Sequence, residues 1–301
     1  MALGFLCVYV VWGSTYLAIR YSVATIPPFI MSGVRFMIAG STLYGWSRLR
    51  GGAKPDREQW KNALIIGAML LLVGNGAVSW AEQRVSSGMT SLLVATVPLW
   101  LVLAEIYNGR RPKWLQWVGV AAGLIGVALL VKPSGAAGNA TAVVSPAGAA
   151  VLMIGSLSWT IGSLFARTAR LATPASMASG MQMLSGGVLM LLLSVATGEW
   201  TDFHLGAVTS TSMFSLLYLV VFGSIIGFST YMWLLSVASP AAVGTYAYVN
   251  PVVAVLLGVI IGGERLPASA GLAMLVIVGS VALVSLAPYL RRKESPASSV
   301  T

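Results

Sequence analysis

Charge is what this sequence lacks most. Its 301 residues include 18 Lys and Arg and 8 Asp and Glu, so that 9% of the chain is charged, whereas a soluble domain usually has about 25%. A water-facing surface cannot be built from so few charges. Because 57% of the residues are hydrophobic, we expect an all-α integral membrane protein whose main surroundings are the lipid bilayer.

Cysteine and histidine are almost absent as well. The single cysteine, Cys7, cannot form an intramolecular disulfide, and the single histidine, His204, lies between apolar runs. The net charge of +10 is divided into short clusters between those runs rather than along one face. These patterns exclude a disulfide framework and argue against a nucleic-acid partner.

The chain contains ten stretches that are long enough to cross a hydrocarbon core, which takes about 20 apolar residues per helix. The predicted spans are 2–20, 28–47, 62–80, 86–107, 114–131, 147–167, 174–196, 212–235, 240–262 and 268–287. An even number of spans puts both termini on one side. If that side is the cytoplasm, thirteen Lys and Arg lie in inner segments and four in outer ones, so we expect both termini to be cytoplasmic.

The second half of the chain repeats the first. A shift of 147 residues aligns Trp12 with Trp159 and Gly33 with Gly180, and a shift of 153 aligns Pro98 with Pro251. We therefore divide the chain into a first five-helix repeat (1–131), an extracytoplasmic linker (132–146), a second repeat (147–288) and a cytoplasmic tail (289–301). Since five is odd, the halves enter the membrane in opposite directions, which is the architecture of many secondary transporters with a substrate site near the midplane.

Several motifs carry a resemblance to a known family. Val11-Trp12-Gly13-Ser14-Thr15, Arg35-Phe36, the two helix prolines and Gly263-Glu264-Arg265-Leu266 resemble the ten-helix EamA group of the drug/metabolite transporter (DMT) superfamily over essentially the whole chain. The first half departs from the pattern, because Gly109-Arg110-Arg111 stands where the second half has Gly-Glu-Arg. Within the group, the aromatic richness is similar to that of bacterial YddG-like exporters of aromatic amino acids. The resemblance implies a multi-pass protein of the bacterial inner (plasma) membrane.

Aromatic and polar residues near mid-span are the candidates for binding substrate. Tyr9, Trp12 and Tyr16 are spaced to share a helix face, and Trp12 and Trp159 lie where rings could stack on a ligand. The alternative is aromatic residues that pack against lipid or core. The predicted substrate-binding residues are Trp12, Tyr16, Asn75, Thr96, Trp100, Trp159, Ser163, Ser224, Tyr246 and Asn250. Their substrate would be a small molecule, above all a neutral or aromatic amino acid.

Three further residues are predicted to act as hinges or gates. Pro98 and Pro251 each remove a backbone donor near mid-membrane and should kink their helices. Arg35 is the only basic residue deep in a span, so it must face protein or water, where it could bind a carboxylate, pair with an acid or bond helix-end carbonyls.

What the spans lack limits the mechanism. Asp56 and Asp202 are in loops, and Glu105 is the only acid well inside a predicted helix, which favours facilitated transport over obligatory proton exchange. No phosphate-binding loop and no H-E-x-x-H motif occurs, so we expect no ATP hydrolysis, cofactor, metal, catalytic residue or enzymatic activity. The alternatives are a drug or nucleotide-sugar transporter of the same fold and, far behind, an intramembrane enzyme. Either a monomer or a homodimer fits the glycine-rich helix faces.

Overall fold

The computed structural model describes residues 1–107, 114–131, 146–238, 240–264 and 268–290. Three predicted segments lie outside the described residues. They are the linker up to residue 145, residues 291–301 of the tail, and Gly109-Arg110-Arg111. The helices are α1 (Ala2–Ser22), α2 (Pro28–Leu49), α3 (Arg57–Ala81), α4 (Ser87–Val94 and Val97–Tyr107), α5 (Trp114–Val131), α6 (Pro146–Thr168), α7 (Ala175–Ala196), α8 (Ser210–Val237), α9 (Pro240–Val243 and Tyr246–Ile260) and α10 (Ala268–Leu290).

This is the predicted all-α fold of ten transmembrane helices in two inverted repeats. Among the described helices, α1, α3, α6, α7 and α8 are long and apolar enough to cross a bilayer, and shorter apolar helices lie within α4, α5, α9 and α10. The observed ends lie within a few residues of the predicted ones. The largest difference is at α3, which begins at Arg57 because Asp56 and Gln59 form a reciprocal capping box.

Among the described helices, α4 and α9 are broken, and the breaks do not occupy matching positions. Helix α4 is interrupted between Val94 and Val97, because Pro98 has no N–H to donate to the Val94 oxygen one turn earlier and its ring would clash with that oxygen. Pro251 instead lies inside the continuous part of α9, and that helix breaks earlier, at Gly244 and Thr245. A shared proline therefore does not mark a shared break.

In the described part of the chain, three spans contain π-helical segments, which have a wider turn than an α-helix and are frequent at functional sites. They cover Val8–Trp12 in α1, Gly67–Asn75 in α3 and Leu219–Phe228 in α8. The shift of 153 residues places the α3 segment on 220–228 of α8, so this irregularity recurs in both halves. In α6, the repeat partner of α1, the helix is α-helical throughout.

The two halves meet most closely where α2 crosses α7, its repeat partner. A Cβ atom added to Gly40 would lie 2.7 Å from the Leu184 nitrogen and 2.9 Å from the Gly180 oxygen. A Cβ atom on Gly180 would lie 3.1 Å from the Gly40 oxygen, and one on Gly187 would lie 3.2 Å from the Gly33 oxygen. The shift of 147 residues relates Gly33 to Gly180 and Gly40 to Gly187. Exchange of the halves therefore turns the Gly40–Gly180 contact into the Gly187–Gly33 contact, as a two-fold axis between the halves requires.

The same exchange relates the two ends of the bundle. Arg20 Nη1 donates to the Val85 oxygen (3.2 Å), and Arg167 Nη1 donates to the Ala238 oxygen (3.0 Å). Arg20 and Arg167 correspond at the shift of 147, and Val85 and Ala238 at the shift of 153. We call the end where α1 and α3 finish the Arg20 end, and the end where α6 and α8 finish the Arg167 end.

Acidic residues of the second half cap helices of the first half at the Arg20 end. Glu199, which follows α7, accepts from the Phe29 nitrogen (3.1 Å) and the Ile30 nitrogen (2.8 Å) at the start of α2. Glu264, which follows α9, accepts from the nitrogen (2.9 Å) and Oγ (2.8 Å) of Ser87 at the start of α4. Each acid satisfies donors that a helix N-terminus leaves without partners.

We expect Gly40→Ala to destabilise the protein by about 1–3 kcal/mol, because the new methyl group meets the backbone of α7 and the helices must separate. Thermal unfolding in detergent measures this loss. The matched control is Gly45→Ala in the same helix, where an added Cβ has no neighbour within 4 Å. Equal melting temperatures for the two variants would contradict a close crossing at Gly40.

Candidate functional site

A cavity lies between the two halves, on the Arg20 side of the bundle centre. Its volume is about 690 Å³, which includes space that is continuous with the solvent. Helices of both halves line it. The lining residues are Trp12, Thr15, Tyr16, Ile19, Arg35, Phe36, Leu71, Gly74, Asn75, Val78, Val94, Leu152, Gly155, Ser156, Trp159, Gly223, Phe228, Tyr246 and Asn250.

Four aromatic rings, Trp12, Trp159, Tyr231 and Tyr246, form what we call the aromatic cluster. The Trp12 ring lies 5.5 Å from that of Trp159, 4.8 Å from that of Tyr231 and 5.6 Å from that of Tyr246, and the first and last pairs meet edge to face. Edge-to-face and offset geometries are the favourable ones for such rings. Tyr246 also lines a second, smaller cavity towards the Arg167 end, so the cluster stands between the two spaces.

Hydrogen bonds fix the cluster's orientation. Trp159 Nε1 donates to the Tyr231 hydroxyl (3.0 Å), and this hydroxyl also lies 2.8 Å from Ser163 Oγ. Trp12 Nε1 donates to the Gly223 oxygen on α8 (3.2 Å). Buried indole and phenol groups need such partners, and here the partners come from α8 for both tryptophans.

Glycines on the π-helical segments make room for the tryptophans. A Cβ atom on Gly227 of α8 would lie 2.6 Å from the Trp12 ring, and one on Gly74 of α3 would lie 2.9 Å from the Trp159 ring. Gly74 and Gly227 correspond at the shift of 153, just as the tryptophans correspond at the shift of 147. The sequence contained this signal, because a glycine repeats with each tryptophan, but the spacing alone did not indicate the contact.

One cation, Arg35, lines the cavity, and no carboxylate of the described residues contacts it. Arg35 is 3% exposed, its Nε donates to Ser224 Oγ (2.7 Å), and its guanidinium lies 4.8 Å from the centre of the Phe36 ring. Its Nη1 has no hydrogen-bond partner among the described residues, and neither does Asn75 Oδ1 nor Ser156 Oγ. The cavity wall thus presents a charged donor together with uncharged acceptors, which is an arrangement able to hold both ends of a zwitterion.

Asn250 is already engaged. In the amide orientation that suits its surroundings, its nitrogen donates to the Tyr9 oxygen (3.0 Å) and the Tyr246 oxygen (3.3 Å). Asn250 therefore links α1 to α9 as well as lining the cavity.

Six of the ten predicted binding residues line the cavity: Trp12, Tyr16, Asn75, Trp159, Tyr246 and Asn250. The other four lie elsewhere. Thr96 is fully buried and bonds the Leu93 oxygen, and Trp100 is absent from the lining. Ser163 lines the second cavity, and Ser224 accepts a hydrogen bond from Arg35 Nε.

The predicted gating residues are also dispersed. Arg35 lines the cavity, whereas Pro98 and Pro251 do not. The side chain of Glu105 lies outside the described part of the chain. Glu82, which the predicted spans leave between the third and fourth helices, is 2% exposed directly after α3.

Comparison with known proteins identifies the family. The model of the EamA-like transporter family matches residues 1–132 and again 146–286. The chain belongs to this family. It is 44% identical to the uncharacterized inner membrane transporter YedA of Escherichia coli K12 over 285 residues, which cover 94% of this chain and 89% of YedA.

The chain is also similar to more distant relatives. The EamA chain is 26% identical to protein PecM of Dickeya dadantii, covering 94% of this chain and 92% of PecM, and 23% identical to the uncharacterized transporter YoaV of Bacillus subtilis, covering 85% and 86%. A protein of known crystal structure superposes with a TM-score of 0.67 at 22% identity, covering 97% of this chain and 98% of that one. At that identity the likeness concerns the fold alone.

We expect Tyr231→Phe to lower the free energy of unfolding by about 1–3 kcal/mol, because it leaves the Trp159 indole donor buried without a partner. Thermal unfolding in detergent, followed by tryptophan fluorescence, measures both the loss and the changed surroundings of the ring. Tyr44→Phe is the control, since the Tyr44 ring packs on Trp60 and its hydroxyl makes no hydrogen bond among the described residues. If both variants unfold as the wild type does, the bond is not formed.

Proposed function

We propose that this EamA-family protein is a secondary transporter that exports small amphipathic metabolites, above all neutral and aromatic amino acids. The inverted halves would alternate access to the cavity without ATP. The resemblance of the chain to an inner membrane transporter and its apolar helices support a place in a bacterial inner membrane. The basic residues of the loops favour cytoplasmic termini.

The observation that carries the substrate class is the unpaired guanidinium nitrogen of Arg35 beside an aromatic wall. A buried charged donor without a partner is unfavourable, and a carboxylate that accepts from it relieves this. Asn75 Oδ1 and Ser156 Oγ offer acceptors for an ammonium group, and Trp12 and Tyr246 offer faces and edges for an apolar or aromatic side chain. A neutral amino acid has all three complementary parts.

A nucleotide sugar fits the same wall less well. Its phosphates would require several cations, and Arg35 is the only charged residue among the described lining residues. A cationic drug would meet the positive charge of Arg35 unfavourably. Requirement for a carboxylate therefore separates the amino-acid assignment from both alternatives.

We expect Arg35→Gln to raise the KM for phenylalanine about tenfold or more, because a hydrogen bond to a charged group, worth about 1.5–3 kcal/mol, is lost. Labelled phenylalanine exchange in liposomes that contain the purified protein measures the change. Phenylethylamine, which lacks the carboxylate, should compete poorly with phenylalanine in the wild type, and the variant should discriminate less between the two.

Arg50→Gln provides the control for that change, since Arg50 is exposed at the end of the same helix. An unaltered KM in correctly folded Arg35→Gln protein would show that Arg35 does not bind the substrate carboxylate. Wild-type vesicles that exchange neither phenylalanine nor threonine would refute the amino-acid assignment itself.

We expect Trp12→Ala to raise the KM for phenylalanine about two- to tenfold more than the KM for alanine, because a ring contact worth about 0.5–1.5 kcal/mol exists for the aromatic substrate only. Competition assays with the two substrates measure the ratio. Trp46→Ala, which removes a tryptophan that is 54% exposed on α2, should leave the ratio unchanged. An unchanged ratio in Trp12→Ala would place aromatic recognition elsewhere.

A further inference from the structure

Glu82 is a buried acid for which the proposed transport cycle has no role so far. It follows Ala81, where the third span ends, at the Arg20 end of the bundle. It is 2% exposed, and neither carboxylate oxygen has a hydrogen-bond partner among the described residues. An ionised carboxylate in such surroundings is strongly disfavoured, whereas a protonated one is tolerated.

The cation Arg20 does not pair with Glu82, because it already pairs with another acid, Glu264. Arg20 Nε lies 3.4 Å from Glu264 Oε1, and Arg20 Nη1 donates to the Val85 oxygen. Glu264 also accepts from the nitrogen and Oγ of Ser87 and from the Gly88 nitrogen (3.3 Å). The ionised form of Glu264 is therefore well supplied with donors, and the bridge joins α1 to the start of α4.

The other groups around Glu82 do not neutralise it either. The positive charge of Arg35 on α2 favours the ionised form of Glu82, but Arg35 Nε donates its hydrogen bond to Ser224 Oγ. Tyr16 of α1 is an uncharged neighbour. Arg84, two residues further on, is turned towards the Trp80 ring and the Gln83 side chain. Helix α6 packs against the same turn, and its only charged residue, Arg167, lies at the opposite end.

Electrostatics agree with this geometry. Burial raises the pKa of Glu82 well above its ordinary value, and the negative charge of Glu264 raises it further. The positive charge of Arg20, the nearby backbone N–H of Arg20 and the positive charge of Arg35 lower this pKa, but they do not outweigh burial.

We propose that Glu82 is a proton-binding site, which holds a proton while the Arg20–Glu264 bridge is closed and gives it up to water when the bridge opens. On opening, the O–H bond of the acid breaks, the proton passes to solvent, and Arg20 becomes free to pair with the Glu82 carboxylate. The link to transport rests on the proposed function, because opening of the Arg20 end is one half of the alternating-access cycle. The shift of 153 residues places Leu235 opposite Glu82, so the Arg167 end has no equivalent acid.

Infrared difference spectroscopy on the full-length protein in lipid tests the proton site without any substrate. The wild type should show the carbonyl stretch of a protonated carboxylic acid at neutral pH, and Glu82→Gln should lose it. Asp202→Asn, which removes an exposed acid at the same end, should keep it. A wild type without the band, or a Glu82→Gln protein that retains all of it, would overturn the proposal.

Transport assays test the consequence for the cycle. With equal pH on both sides of the vesicle, phenylalanine exchange by the wild type and by Asp202→Asn should fall by up to about tenfold per unit of pH lowered while Glu82 stays mostly protonated. Exchange by Glu82→Gln should be slow and independent of pH. A wild-type pH profile in Glu82→Gln would overturn the role in gating, and if the wild type exchanges no phenylalanine, the infrared result still decides whether Glu82 holds the proton.

Discussion

The structure depends on one constraint: inside a bilayer, backbone polar groups must find partners within the protein. This is why the chain consists of helices, and it also decides where the helices can be irregular. The break in α4 falls on Ala95 and Thr96, which are 2% and 0% exposed, and the Thr96 hydroxyl bonds a backbone oxygen one turn earlier. The π-helical segments of α3 and α8 likewise face the opposite half of the protein, where they contribute Gly74 and Gly223 to the cavity. Irregular backbone thus occurs where the two halves meet.

The backbone obeys the two-fold relation between the halves more closely than the side chains do. The glycine crossings of α2 and α7, the tryptophan contacts with Gly74 and Gly227 and the arginine bonds at both ends all occur twice. Two buried charged residues occur in one half only: Arg35 corresponds to Gln182, and Glu82 corresponds to Leu235. A symmetric scaffold can adopt two equivalent conformations, and residues present in one half only make those conformations chemically different.

Much of the fold could be predicted from the sequence, because hydrophobic length and repeated Trp, Gly and Pro are strong signals in a membrane protein. The faces of individual helices could not be predicted as well. Tyr9, Trp12 and Tyr16 are spaced to share an α-helical face, yet Tyr9 bonds Thr245 while the other two line the cavity, because residues 8–12 are π-helical and rotate the face. A count by 3.6 residues per turn cannot detect that change. Glu82 was missed for a related reason: the pattern marks where an apolar run ends, but not that the residue following it is buried.

The positions of the interior charges suggest how substrate and gate are linked. Arg35 is buried, no carboxylate of the described residues contacts it, and its positive charge lowers the pKa of Glu82 without outweighing burial. A bound carboxylate would balance Arg35 directly and weaken this effect, so the protonated form of Glu82 would be favoured further. Protonated Glu82 is the form that the closed Arg20 end accommodates, since Arg20 is then free to pair with Glu264. Binding of a carboxylate at the centre would therefore favour closure of the Arg20 end through charge alone, without any movement of the helices being transmitted between the two sites.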